Sequence, residues 1–278
     1  MSPFLVCVLS VILSTVAAAS PFDVTWENLD RFANTNAREV KLPVRGLVVN
    51  HPWCGQTAMY DPAKGGKDFA AEPKRRFTEM GVVYLHVYES PWGWMNEEVV
   101  RLADEVVDAV ILHFGLPSDV PVRSVGMSMG GAAAIMWARF SRHRVVSVVA
   151  NCPPTDLVAH VGERFDLPVI FRSAYGDKPD PLSAIRSRSP MDNVSALPDA
   201  DFFIVHSDAD PLVSKTLHSD RFAAALKRAG RRVTYVVSEG TGHCDLSPVA
   251  KASYERALYA PLDGREFAVG GVGSASRE

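Results

Sequence analysis

Cysteine is scarce in this chain, with four residues in 278 and no C-x-x-C pair. That excludes a disulfide scaffold and the zinc or redox motifs built on paired cysteines. The eight histidines show no H-E-x-x-H or comparable ligand spacing, so neither a metal nor another cofactor is expected. No charge of one sign dominates. Lys and Arg number 29 against 32 Asp and Glu, a net charge of −3, far from the basic excess that neutralises a phosphate backbone. The small clusters Lys74-Arg75-Arg76 and Arg228 with Arg231-Arg232 read as solvated helix faces, and no nucleic-acid partner is expected.

Long apolar runs are missing, with one exception. Residues 4–19 carry no charge and end in Ala17-Ala18-Ala19, a small-x-small pattern suited to signal peptidase. The run is shorter than the ~20 residues of a membrane span. Its n-region lacks Lys and Arg, so an uncleaved anchor is the alternative to a cleaved signal at residues 1–19. The expectation is a secreted or periplasmic protein with one domain over residues 20–263 and a flexible Gly- and Ser-rich tail, 264–278. Cleavage removes Cys7 and leaves Cys54, Cys152 and Cys244. Three buried free thiols are expected. The alternative, a bridge between two of them, needs Cα atoms within ~7 Å.

What is present begins with Gly126-Met127-Ser128-Met129-Gly130-Gly131, a G-x-S-x-G pentapeptide with one further glycine. By chance the pentapeptide occurs in roughly one chain in ten of this length, with Gly and Ser at ~7% each. Its flanks give it meaning. Val122-Arg123-Ser124-Val125 has the character of a short buried strand, and residues 132–140 are a run of helix formers. Strand, glycine-crowded turn and helix form the context of a nucleophile elbow, in which the serine adopts a strained backbone and its neighbours must be nearly free of side chain.

Strand-like and helix-like segments alternate along the chain. Strands are expected at 44–50, 82–88, 122–125, 145–150, 202–205 and 233–237. Helices are expected at 67–80 (interrupted or restarted by Pro73), 96–114, 132–140, 219–229 and 248–259. In the second helix Val99, Leu102, Val106, Val110 and Phe114 fall on one face. Alternating βα units imply an α/β fold, a mostly parallel sheet with helices on both faces, and ligands at the carboxyl ends of the strands. Residues 155–197 break the rhythm with Pro168, Pro179, Pro181 and Pro190, and read as a cap-like insertion over those ends.

A serine hydroxyl becomes nucleophilic when a base takes its proton and a carboxylate orients that base. In chain order, a strand runs into His206-Ser207-Asp208-Ala209-Asp210-Pro211-Leu212-Val213, and a later one into Glu239-Gly240-Thr241-Gly242-His243-Cys244-Asp245. Ser128 is therefore the candidate nucleophile, His243 the base, and Asp208 or Asp210 the orienting acid. An oxyanion needs backbone donors. Met129 N–H comes with the elbow, and the loop His51-Pro52-Trp53-Cys54-Gly55 offers Trp53 N–H, with Cys54 the neighbouring alternative. Pro52 has no N–H to give.

Taken together, His51-Pro52-Trp53, the elbow, Ser189-Pro190-Met191-Asp192-Asn193-Val194, His206-Ser207-x-x-Asp210-x-x-Val213 and Gly242-His243 resemble the α/β-hydrolase superfamily. Within it the chain is similar to the prolyl oligopeptidase and dienelactone hydrolase-like group over roughly 44–259. The resemblance implies an α/β-hydrolase fold and selects Asp210, four residues after the histidine, over Asp208. The pattern departs from the group where Pro52 and Ser207 replace glycine, and from dienelactone hydrolases in having a serine nucleophile.

The expected function is an exported serine hydrolase working through an acyl-enzyme, foremost a carboxylic ester hydrolase on a small-molecule or carbohydrate-linked ester. A peptidase or an acyltransferase is the alternative, and a non-catalytic binding module the reading from a different class. Trp92 and Trp94, directly after a strand, together with Tyr60 and Trp53, are candidates for a wall that stacks on an aromatic or sugar group. Local packing of the loop is the competing reading for the two tryptophans.

Overall fold

The structure, a computed structural model, describes residues 22–55 and 68–262. The expected signal segment, the expected tail and Tyr60 lie outside the described residues. The strands are β1 (Ala33–Thr35), β2 (Gly46–His51), β3 (Val82–Val87), β4 (Val122–Met127), β5 (Val145–Asn151), β6 (Asp201–Ser207) and β7 (Val233–Ser238). They form one sheet in the order β1-β3-β2-β4-β5-β6-β7. All neighbours are parallel except β1, which runs antiparallel to β3. The helices are α1 (Ala71–Glu79), α2 (Glu97–Phe114), α3 (Met129–Phe140), α4 (Leu157–His160), α5 (Leu167–Tyr175), α6 (Pro181–Ser187), α7 (Arg221–Arg228) and α8 (Pro248–Leu258). Among the described residues no helix is long and apolar enough to cross a membrane.

Alternating strand residues supply two cores, as a pleated sheet covered on both faces requires. Leu47, Val49, Val83, Leu85, Val148 and Ile204 pack with α2 and α3, whereas Val48, Tyr84, Val125, Val149 and Val205 meet Phe77 of α1 and Leu258 of α8. Helix α2 buries Val99, Leu102, Val106, Val110 and Phe114, the face that its periodicity predicts. The Asn96 side chain caps its N-terminus by accepting from Val99 N–H, and Gly115 closes it in the left-handed region. Helix α3 is buried over Met129 to Ala138, which explains its lack of a polar face. A third cluster belongs to the segment between β5 and β6. Leu157, Leu167, Phe171, Tyr175 and Ile185 of α4, α5 and α6 pack with Trp94 and sit on Met129 and Ala132.

The boundaries differ from expectation where local chemistry intervenes. Helix α1 starts at Ala71 rather than 67 because Pro73, which has no N–H, is tolerated in the first turn, where backbone N–H groups have no intrahelical acceptor. Helix α3 starts three residues early, directly after Ser128. A π-helical turn, Thr216–Asp220, precedes α7, where a single helix is expected. Strand β1 has no apolar pattern. It exists because Asn36, just beyond it, accepts from Tyr84 N–H at 2.7 Å and donates to Val82 O at 3.0 Å through its side chain.

Candidate active site

Ser128 stands between the last residue of β4 and the first of α3, with φ 55° and ψ −127°. A positive φ at a non-glycine residue is strained, and close packing of backbone on backbone holds it. A Cβ on Gly126 would lie 2.1 Å from the Gly130 carbonyl oxygen, and one on Gly130 would lie 2.3 Å from that of His51. Only glycine fits either position. The Ser128 N–H donates to Asn151 O at 2.8 Å, tying the elbow to the end of β5.

Parallel register brings the strand ends together: His51 lies beside Gly126, Met127 beside Asn151, Asn151 beside Val205 and Ser207 beside Ser238. The loops after β6 and β7 therefore reach the elbow. His243 Nε2 lies 2.9 Å from Ser128 Oγ, and His243 Nδ1 lies 2.7 Å from Asp210 Oδ2. Asp208 is elsewhere, accepting from Gly240 N–H at 2.7 Å. The side chain of Asp210 is fully buried. Its Oδ1 accepts from the N–H groups of Leu212 and Val213 at 2.8 and 3.0 Å. Its Oδ2 is shared between His243 and a second, fully buried imidazole, His206, whose Nε2 is 3.2 Å away. His206 Nε2 also lies 3.1 Å from Val213 O, so this nitrogen carries a proton, and its Nδ1 accepts from the Ser219 hydroxyl at 2.6 Å. Burial alone would raise the Asp210 carboxyl. The donors from His206, His243, Leu212 and Val213 outweigh it and hold the group well below the usual carboxylate range.

The expectation of three free thiols is corrected by a Cys152–Cys244 disulfide with Cα atoms 5.5 Å apart, while Cys54 is free and half-buried. The pair is invisible in sequence because 92 positions separate the two cysteines. Spatially, Cys152 follows the last residue of β5 and Cys244 follows His243. Asn151 Nδ2 draws the two loops together by donating to Cys244 O at 2.8 Å.

The loop after β2 is anchored from below by His51. Its buried ring lies between Glu89 Oε1 at 2.5 Å and Ser124 Oγ at 3.0 Å, and that hydroxyl donates to Ala134 O at 2.9 Å. Trp53 then lines a cleft of about 510 Å³ together with Ser128, His243, Trp92, Arg164, Asp166, Ile170 and Leu212. Met129 opens α3, so its N–H is among the first-turn donors without an intrahelical acceptor. Arg164 and Asp166 neutralise each other, Nε donating to Oδ1 at 3.0 Å and Nη2 to Oδ2.

The tryptophan pair divides. Trp92 is 42% exposed and lines the cleft. Trp94 does not reach it, which corrects the expectation of a substrate contact. It is buried and stacks on Phe171 at 4.3 Å with an interplanar angle of 20°, and its carbonyl accepts from Tyr175 OH. Gly93 separates the two, and the positive φ of Trp94, 45°, turns its side chain inward while Trp92 faces the cleft.

Reading the sequence for chemistry passes over Asn151 and gives His206 no role. The available signal for His206 is its position, one helical turn before the acid on a strand end. A further cluster joins His160, Glu163 and His218. His218 Nδ1 accepts from the N–H groups of Thr155 and Asp156, both at 3.1 Å, leaving Nε2–H to donate to Glu163 at 2.8 Å. The ring thus has no free lone pair to offer an ion.

The chain matches the prolyl oligopeptidase family over residues 105–263. No curated protein sequence is significantly similar. Among solved structures, a puromycin-hydrolyzing peptidase from Mycobacterium tuberculosis shares 18% identity at a TM-score of 0.56, over 77% of this chain and 33% of the other. The acylaminoacyl peptidase of Pyrococcus horikoshii shares 16% at 0.58, over 82% and 40%. Carboxyl esterase 2 of the fungus Tuber melanosporum shares 18% at 0.55, over 79% and 78%. The alignments thus span about a third of the length of the first of these relatives. A mostly parallel seven-stranded sheet with helices on both faces and a serine at the β4–α3 turn, matched over more than half the chain, identifies the protein as an α/β-hydrolase-fold member of the prolyl oligopeptidase family of serine hydrolases.

Proposed function

We propose that the protein is an exported carboxylic ester hydrolase that works through an acyl-enzyme on Ser128. The observation that carries the reading is the continuous line from Ser128 Oγ through His243 to the buried Asp210, at 2.9 and 2.7 Å. His243 Nε2 takes the hydroxyl proton as Oγ attacks the ester carbonyl. Asp210 fixes the Nδ1–H tautomer and stabilises the imidazolium that forms. The N–H groups of Met129 and Trp53 receive the negative charge on the carbonyl oxygen, each such donor contributing on the order of 10²–10³ in rate. His243 returns the proton to the departing alcohol, and water releases the acid by the same steps in reverse.

The cleft supports an ester over a peptide. Its walls are apolar, and among the described lining residues the two formal charges, Arg164 and Asp166, are spent on each other. No unpaired charge there is available for a peptide terminus. The family match favours the second reading, a peptidase acting through the same groups. Export is supported by the apolar run at residues 4–19 and by a disulfide of the kind that persists in oxidising compartments. Labelling by a fluorophosphonate probe, lost in Ser128→Ala, tests the nucleophile. Parallel turnover assays with short-chain esters and peptide amides then test the class, and amide turnover above ester turnover would overturn the ester reading.

A further inference from the structure

A second cavity, also of about 510 Å³, shares Trp53, Met127 and Cys244 with the Ser128 cleft. It therefore begins beside the residue before the nucleophile and the residue after the base. Five rings wall it: Trp53, Phe69, Tyr84, Tyr254 and Tyr259. Neighbouring rings hold them, since Phe77 stacks on Tyr84 at 5.6 Å and meets Tyr259 at a tilt of 42° at 4.9 Å, and Phe69 meets Trp53 edge-on at 5.9 Å. Walls of this kind suit a flat aromatic guest.

The hydroxyls add a second, independent signal. Tyr84 lies in the middle of β3 and is only 4% exposed. Among the described residues neither its hydroxyl nor that of Tyr254 has a hydrogen-bond partner, although both tyrosines line the cavity. A tyrosine hydroxyl at a cavity wall with no protein partner is free to donate to whatever occupies the cavity. Burial pushes both phenols up, that of Tyr254 to about 12, so each remains a protonated donor at neutral pH.

We propose that this cavity binds the aromatic portion of the substrate, a ring bearing a hydroxyl or alkoxy oxygen that accepts from Tyr84 and Tyr254. The inference rests on the acyl-transfer reading of the Ser128 cleft and adds the substrate class to it. A ring with that substituent enters past Trp53, its oxygen meets the tyrosines, and the attached ester reaches back to Ser128. The ring can belong to the acyl group or to the alcohol.

Direct binding tests the cavity without reliance on turnover. The full chain is titrated calorimetrically with 4-ethylphenol, 4-ethylanisole and ethylbenzene. The oxygenated rings are expected to bind about three- to tenfold more tightly, the worth of one or two net hydrogen bonds. Tyr84→Phe and Tyr254→Phe keep the rings and remove the hydroxyls. The preference should shrink in each and vanish in the double variant, with thermal melting as the check on folding. A second arm compares KM for methyl 3-(4-hydroxyphenyl)propanoate against methyl 3-phenylpropanoate, and for 2-(4-hydroxyphenyl)ethyl acetate against 2-phenylethyl acetate. The pair whose preference the double variant erases identifies the side of the ester that carries the ring. Equal binding of phenol and hydrocarbon by the native chain, or a preference that survives in the double variant, overturns the proposal. A preference in binding without turnover of any ester supports the cavity and counts against the ester-hydrolase reading, so the two failures separate.

Discussion

Replacing both Cys152 and Cys244 by alanine isolates what the disulfide does. The bridge spans 92 positions, and the loop-closure entropy it removes from the unfolded chain corresponds to about 4–5 kcal/mol. For a domain of this size each kcal/mol moves the melting temperature by about 2–4 °C, so a fall of about 10–15 °C is expected. Catalysis should suffer less. In the double variant the loop carrying His243 remains pinned by Asn151 Nδ2 on Cys244 O and by Asp210 on the imidazole. A tenfold fall in the rate of fluorophosphonate labelling corresponds to about 1.4 kcal/mol of lost ordering, and no more than about that is expected. The assays are thermal unfolding and single-turnover labelling of three samples: native protein, the double variant, and native protein after reduction. Cys54→Ser, which touches the free thiol, is the control and should behave as native. A double variant that melts within about 2 °C of the native protein and labels at the native rate would refute the reasoning.

Asp210→Asn should lower kcat by about 10³–10⁴-fold and also lower the melting temperature, because with the amide oxygen kept on Leu212 and Val213 its NH2 faces the His206 and His243 donors that the carboxylate accepts from; steady-state ester kinetics and thermal unfolding read this. His206→Phe keeps a ring and removes the donor to Asp210 Oδ2, leaving the carboxylate with more charge for the imidazolium, so the acid limb of the kcat/KM profile should move to higher pH by up to about one unit; an unmoved limb would reduce His206 to a packing role. Trp92→Ala should raise KM several-fold with kcat little changed, whereas Trp94→Ala should destabilise the fold by about 3–5 kcal/mol through the cavity left against Phe171, as measured by urea unfolding. Burial would raise Glu163, but hydrogen bonds from His160 and His218 hold it down to about 2. A carboxyl lowered on folding stabilises above its unfolded value and loses that contribution as pH falls towards its folded one, so the native melting temperature should drop between about pH 5 and 2 more steeply than that of Glu163→Gln.

The alternation of apolar strands with amphipathic helices made the parallel sheet legible, because both periodicities follow directly from burial on two faces. Ser128 was legible through its glycines, which the turn demands sterically. His243 was legible through its placement at a strand end in the right order, which left Asp208 or Asp210 as the acid until the family resemblance selected Asp210. What stayed hidden depends on distance across the chain. The Cys152–Cys244 pair and the Asn151 tie need the parallel register of β4, β5 and β6 to meet at all. Strand β1 lacks any periodic signal, since its pairing is reinforced by the Asn36 side chain. The opposite fates of Trp92 and Trp94 turn on backbone angles, Trp94 having φ 45°, that composition does not encode.

The apolar cluster of α4, α5 and α6 packs on Trp94, Met129 and Ala132 with Cys54 at its edge, while the two sheet cores close without it. The chain is thus assembled as a chassis and a roof with a narrow seam between them. Residues 157–187 can be diversified at positions outside their ties to the rest of the chain, which are the three seam residues, the hydrogen bond of His218 to Glu163, that of Tyr175 to Trp94 and that of Asn96 to Ala174. Because Arg164, Asp166 and Ile170 project from that roof into the cleft, such exchange would alter what is admitted to Ser128 while leaving the chemistry beneath it untouched. Selectivity in this architecture can evolve as an interchangeable part.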